Sequence, residues 1–309
     1  MKQLSILIKR NTTLFFRDKG LFFTSLITPM ILLVLYITFL GNIYRDTIVQ
    51  IIDAMKLASG AEINIGGRVI EGFVGGQLIS SILAVSCVTV SVSCNMLMVQ
   101  DKFTGAKNDI MISPISPSIL ALSYYISTLI STLIVCISAL GVSLIYLAFI
   151  GFYLTVWDVL LILTDIVLLV MLGTAFSSII NFFMSTQGQI SAVGSIISSC
   201  YGFICGAYMP ISQFGDGLAG VVGLLPGTYG TALLRRHALG GAIREMGKCG
   251  LEEQFLNEIR DTVDCNIYTF GNVSIPLWVM YAVLSGTVLL LVGIYVAMNI
   301  SKSRSARKG

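Results

Sequence analysis

The chain has 309 residues, of which 55% are apolar and 11% charged, with a mean hydropathy of +0.88 and a formal net charge of +3. This composition excludes a disordered chain and an ordinary water-soluble domain, and no nucleic-acid partner is expected. A bilayer core of roughly 30 Å takes about 20 mostly apolar residues per helix, so several spans fit, whereas a soluble catalytic domain would need roughly 100 further residues.

Residues 1 to 20 place Leu4, Leu7, Ile8, Leu14 and Phe15 at helical spacing among Lys2, Lys9, Arg10, Arg17 and Lys19. That pattern predicts an amphipathic helix lying in the membrane interface, its cations facing lipid phosphates. A signal peptide fits less well, because the apolar run starts only after Gly20 and continues without a small-residue cleavage site. A first span is predicted over 21–41, with Pro29 tolerated inside it. Residues 44–71 mix Arg45, Asp46, Asp53, Lys56, Glu62, Arg68 and Glu71 and are expected to form an outside loop, followed by a second span over 73–99.

The next stretch, QDKFTGAKNDIMISPISPS from Gln100 to Ser118, is a short polar island between apolar segments. Gly105 can end or turn the helix, Lys107 to Ile112 is little more than one helical turn, and Ser113-Pro114 stops it. A third span over 119–152 exceeds one membrane thickness and must tilt, kink near Gly141 or extend past the headgroups. A turn near Tyr153 to Trp157 leads to a fourth span over 158–183, and Ser185 to Gln189 opens a fifth over 189–208.

Residues 209–274 form the largest polar region. Its first half is too apolar and too broken by Gly and Pro for a span or a free loop, which predicts a re-entrant pair of short helices. Its second half, with Glu252, Glu253, Glu258, Asp261 and Asp264 against Arg244, Lys248 and Arg260, reads as a solvated cap. A sixth span over 275–298 ends in the basic tail Lys302, Arg304, Arg307 and Lys308. Both termini and the short turns together carry eleven Lys/Arg against three acids, Asp18, Asp101 and Asp109. That excess puts both termini in the cytoplasm of a multi-pass cell-membrane protein. The fold class is therefore all-α, a single transmembrane domain of six spans.

Four groups of residues are functional candidates. Ile110, Met111 and Ile112 beside Lys107 and Asp109 give the cytoplasmic island the mixed face of a transient protein interface. Gly72, Gly76, Ser80 and Ala84 in the second span, and Gly194, Ser198, Gly202 and Gly206 in the fifth, form small-residue stripes suited to close helix approach, within the subunit or between two of them. Asp165, about 10 Å along the helix from Asp158, is the carboxylate well inside a span and should face the bundle and a partner; it could attract a cation, carry a proton or make a structural hydrogen bond. Cys249 and Cys265 share the external polar region and are candidates for a disulfide. The remaining five cysteines lie in apolar segments, and there is no CxxC pair. His237 has no second His or Cys at ligand spacing and reads as a surface residue, so no metal site is expected.

The chain resembles the membrane subunit of ABC-2 type transporters, the exporter permeases related to the membrane halves of the G subfamily of ABC proteins. The features that carry this resemblance are Arg17-Asp18-Lys19 followed by Pro29, the segment Asp101 to Pro114, and Gly206 to Pro210 with Pro226 and Tyr229 before Arg235 and Arg236. Ala106 departs from the threonine usual after that glycine. The resemblance implies that Asp101, Gly105, Lys107, Asp109, Ile110, Met111, Ile112 and Pro114 belong to a coupling helix seated in a cytoplasmic ABC ATPase subunit. It also implies that the small-residue stripes line a path between this permease and a second copy or paralogue. No GxxxxGK[ST] phosphate loop occurs in these residues, so no cofactor is expected to bind directly and ATP with Mg would sit in the partner ATPase. Val74-Gly75-Gly76-Gln77 is only superficially like an ATPase signature.

The expectation is thus an ATP-driven exporter permease in the lipid bilayer, moving a hydrophobic or amphipathic substrate such as a drug, peptide antibiotic or lipid. A polysaccharide exporter of the same family, an ion-coupled secondary transporter using Asp165, and a ligand-sensing subunit are the alternatives.

Overall fold

The computed structural model describes residues 2–59, 65–268 and 274–306; Glu62 of the expected loop and Arg307 and Lys308 of the basic tail lie outside them. Helix α1 (Lys2–Arg17) buries Leu7, Asn11 and Phe15, one stripe at i, i+4 and i+8, and leaves its opposite face exposed. The Asp18 carboxylate caps α2 (Lys19–Leu35) by accepting from the Leu21 amide at 3.1 Å. A π-helical turn (Tyr36–Leu40) then joins α2 directly to α3 (Gly41–Ser59). The expected outside loop therefore begins as helix. Its polar residues hide a second periodicity, in which Tyr44, Ile48, Ile52 and Met55 form an apolar stripe; Ile48, Ile52 and Met55 join one cluster with Val69, Phe73 and Ile243.

The axis of the molecule is α4 (Gly67–Phe103), 37 residues of which nearly all between Gly72 and Val99 are buried. Its many small residues let neighbouring backbones come close on every side. Around it stand α6 (Pro117–Ile150), α7 (Val156–Phe183), α8 (Gln187–Ile204), α10 (Pro226–Lys248) and α12 (Leu277–Ala306), with the short α5 (Ala106–Ile112), α9 (Asp216–Val222) and α11 (Glu253–Thr262) in the connections. Helix α6 runs unbroken through Gly141. Capping boxes at Thr155 with Asp158 and at Thr186 with Gln189 start α7 and α8 where the turns were expected.

Among the described residues, five helices are long and apolar enough to cross a membrane: Lys19–Lys56, Gly67–Phe103, Pro117–Ile150, Val156–Phe183 and Leu277–Ser301. Helix α8, which covers most of the expected fifth span, is not one of them, because Gln187, Gln189, Ser191, Ser195, Ser198 and Ser199 interrupt its apolar residues.

The region after α8 also differs from the expected pair of short helices. Helix α9 has seven residues, but α10 has 23, sixteen of them buried. It starts halfway along the bundle, where Gly230 packs on Leu169, and climbs until Gly241 meets the Tyr153 carbonyl beside the start of α7. Glycines, alanines and threonines dominate its inner face, so a helix of low overall hydropathy still fills the gap between α4, α7 and α12.

Candidate functional site

Three constellations stand out along the bundle. At the end carrying α1, the polar island forms a knob on a rigid base. Gly105 adopts φ +84°, a left-handed conformation that ordinary side chains resist, and turns the chain from α4 into α5. Ser116 and Pro117 then start α6. On α5, Asp109, Met111 and Ile112 are exposed, Ile112 by 85%, and Phe103 at the end of α4 is also exposed. Ile110 instead packs inward against the cluster of Leu7, Leu120 and Tyr124.

Asp101 does not reach outward at all. It is buried, accepts hydrogen bonds from both Nη atoms of Arg10 at 2.6 and 3.1 Å, and accepts another from the Tyr124 hydroxyl at 2.6 Å. These bonds tie α1 to the end of α4. Hydrogen bonding to Asp101 raises the Arg10 guanidinium pKa above its ordinary value. The neighbouring Lys102 donates to the carbonyls of Asn181, Phe182 and Met184 at 2.7, 3.0 and 3.0 Å, a cation at the C-terminus of α7.

The second constellation is an apolar groove of about 560 Å³ between the α2–α3 helix and α8, lined by Leu35, Phe39, Ile43, Ser199, Phe203 and Tyr208 among others. A more polar groove of about 490 Å³ adjoins it through Ser198 and reaches Asp18, Gln100 and Gln187. Of the fifth-span stripe, Gly194 faces Met96, Gly202 lies under the Tyr208 ring, Ser198 lines both grooves, and Gly206 turns the chain at φ +72°. The second-span stripe is used up inside the subunit. A Cβ on Gly76 would meet the Ala238 carbonyl at 2.7 Å and one on Gly72 the Gly151 carbonyl at 2.7 Å, while Ser80 and Ala84 are fully buried. On that face α10 and the residues after α6 pack against α4.

The third constellation joins α7, α10 and α12. Asp165 is wholly buried; its Oδ2 lies 2.6 Å from Nδ1 of His237 and its Oδ1 accepts from the Tyr281 hydroxyl at 2.7 Å. His237, expected at the surface, is only 7% exposed. The buried course of α10, which carries it inward, was not legible from the charged run Arg235-Arg236-His237. Two residues earlier on α10, Arg235 is 1% exposed and donates to the carbonyls of Val263 and Gly206 and to the Asp264 carboxylate. Asp264 in turn accepts from the Ile211 amide. The expected solvated cap is therefore anchored by a buried ion pair between Arg235 and Asp264.

Cys249 and Cys265 are free thiols here, Cys249 half-buried after α10 and Cys265 fully buried, where burial pushes its pKa up to about 12. Among the described residues, no three His, Cys, Asp or Glu side chains gather at metal-binding range.

A family model described as ABC-2 type transporter matches residues 2–237, most of the chain. The chain belongs to the ABC-2 type transporter family. No curated protein gives a match. As an ABC-2 protein, this multi-pass chain is a transport permease subunit without an ATPase domain in residues 1–309; permeases of this family pair with ABC ATPase subunits. Membership separates it from ion-coupled secondary transporters. The matched region ends at His237, so α11 and α12, including Tyr281, lie beyond it.

Proposed function

We propose that this ABC-2 permease exports a hydrophobic or amphipathic substrate, with α5 as the element that receives force from a cytoplasmic ATPase. The observation that carries the reading is the knob itself. Three apolar side chains, Phe103, Met111 and Ile112, stand exposed on a base fixed by the Arg10–Asp101–Tyr124 and Lys102 contacts. Such a patch beside exposed Asp109 suits a transient protein interface, and its rigid base lets a push on α5 reach α4 and α7. In this reading α1 and both termini face the cytoplasm, α8 completes six crossings, and α9 with α10 is a re-entrant element on the outer side.

The apolar groove between α2–α3 and α8 supports an amphipathic cargo: its lining is aliphatic and aromatic with a few hydroxyls. A second permease packed along the same side would close the grooves into a path. The test is reconstitution of the permease and its ATPase in liposomes with a fluorescent amphipathic substrate. Ser199→Trp, which fills the groove, should stop transport while leaving ATP hydrolysis in place. Undiminished transport by that variant would place the path elsewhere.

A further inference from the structure

We propose that the Asp165–His237 pair is a proton-binding site inside the bundle, and that its occupancy sets how firmly α10 is held against α7. Two acid–base contacts join these antiparallel helices, Asp158 with Arg244 and Asp165 with His237. Each pair of partners is seven residues from the next on its own helix, so the two rungs lie about 10 Å apart, two turns along one interface. The outer rung is permanent, since a guanidinium keeps its charge at any physiological pH. The inner rung is the one a proton can change.

The pair shares one close contact, in which either partner can hold the proton. The second oxygen of Asp165 accepts from the Tyr281 hydroxyl. The pair therefore gains or loses one proton as a unit. Without that proton the buried cluster carries one net negative charge; with it, the pair has no net charge. In a low-dielectric bundle the balanced state binds α10 to α7 more strongly. His237 is also the chain's single histidine.

The surrounding groups do not compete in the same pH range. From α12 comes Tyr281; from α4 comes the Cys87 thiol, with Cys136 of α6 behind it; α7 adds Asp158. On α10, Arg235 is directed to Asp264, Arg236 to Asn266 and Arg244 to Asp158. Ordinary values for phenols, thiols, carboxyls and guanidinium groups all fall outside pH 5 to 8, where imidazole titrates.

The site does not depend on the substrate or on the ATPase, so the permease alone tests it. The full chain would be placed in lipid nanodiscs with isotope-labelled histidine, and its one ring signal and its thermal unfolding midpoint followed from pH 5 to 8. The ring signal should move in a single step, and the midpoint should be higher at pH 5.5 than at pH 8 by about 2–4 °C. Asp165→Asn should move the step to lower pH, because the ring loses its anion. His237→Asn, which keeps a donor near Asp165, should flatten the midpoint profile. A ring signal that stays still across the range, or a midpoint profile that His237→Asn leaves unchanged, would overturn the proposal.

Discussion

Arg10 and Asp101, separated by 91 positions in the chain, meet at 2.6 Å and bind α1 to α4, the central helix of the bundle. Asp101 is nearly buried while Arg10 is about one-third exposed, so the contact is part ion pair and part hydrogen-bonded anchor. Arg10→Ala leaves a buried carboxylate with the Tyr124 hydroxyl as its remaining side-chain donor and should cost about 1–3 kcal/mol. Faster proteolysis at the α1–α2 junction in nanodiscs would register the loss. The raised Arg10 pKa means that the contribution is fully present below the ordinary guanidinium value and fades only as pH rises through the still higher folded one. The contact should therefore be insensitive to pH across the physiological range.

Ile112 and Asp109 offer the cleanest separation of folding from coupling, since both are exposed on α5. Ile112→Ser should change stability by no more than about 0.5 kcal/mol. The same substitution should weaken ATPase association by on the order of tenfold or more if Ile112 anchors the interface. Pull-down of the ATPase and the transport-to-hydrolysis ratio measure this. Ile110→Ser is the contrasting variant: Ile110 packs inward, so it should lower stability as well.

Two helix glycines should respond in opposite ways. Gly76→Val brings a side chain against the Ala238 carbonyl and should destabilise the α4–α10 contact by about 1–3 kcal/mol. At Gly141 of α6 an added methyl meets nothing within 4 Å. Gly141→Ala should therefore be neutral or stabilising by up to about 1 kcal/mol. Thermal unfolding of both variants in the same lipid decides it.

Arg235→Met removes the cation buried with Asp264 and strands the Gly206 and Val263 carbonyls. Breaking one side of a buried pair costs about 3–5 kcal/mol, and the loss should open the segment holding Cys265. In the parent protein Cys265 is buried and its thiol is held protonated at neutral pH, so it should resist maleimide. Mass spectrometry after brief labelling should find Cys265 modified in Arg235→Met and spared in the parent.

Much of this protein is written in local pattern. Apolar runs predicted the long helices, apolar residues at helical spacing among basic ones predicted α1, and Gly105 with Ser113-Pro114 marked out α5, because helix periodicity and chain breaks depend only on neighbouring residues. Three features rest on contacts far apart in sequence. Tyr44, Ile48, Ile52 and Met55 keep α3 helical because they are buried, Tyr44 against Tyr36 and the others in a cluster with residues of α4, α10 and α11. Asp101 turns inward because Arg10 and Tyr124 arrive from two other helices. His237 and Arg235, in a run that reads as surface, are buried because α10 starts in the middle of the bundle and finds Asp165 and Asp264 there. A charged side chain can enter an apolar interior only when its counter-group is already placed, and that placement belongs to the tertiary structure.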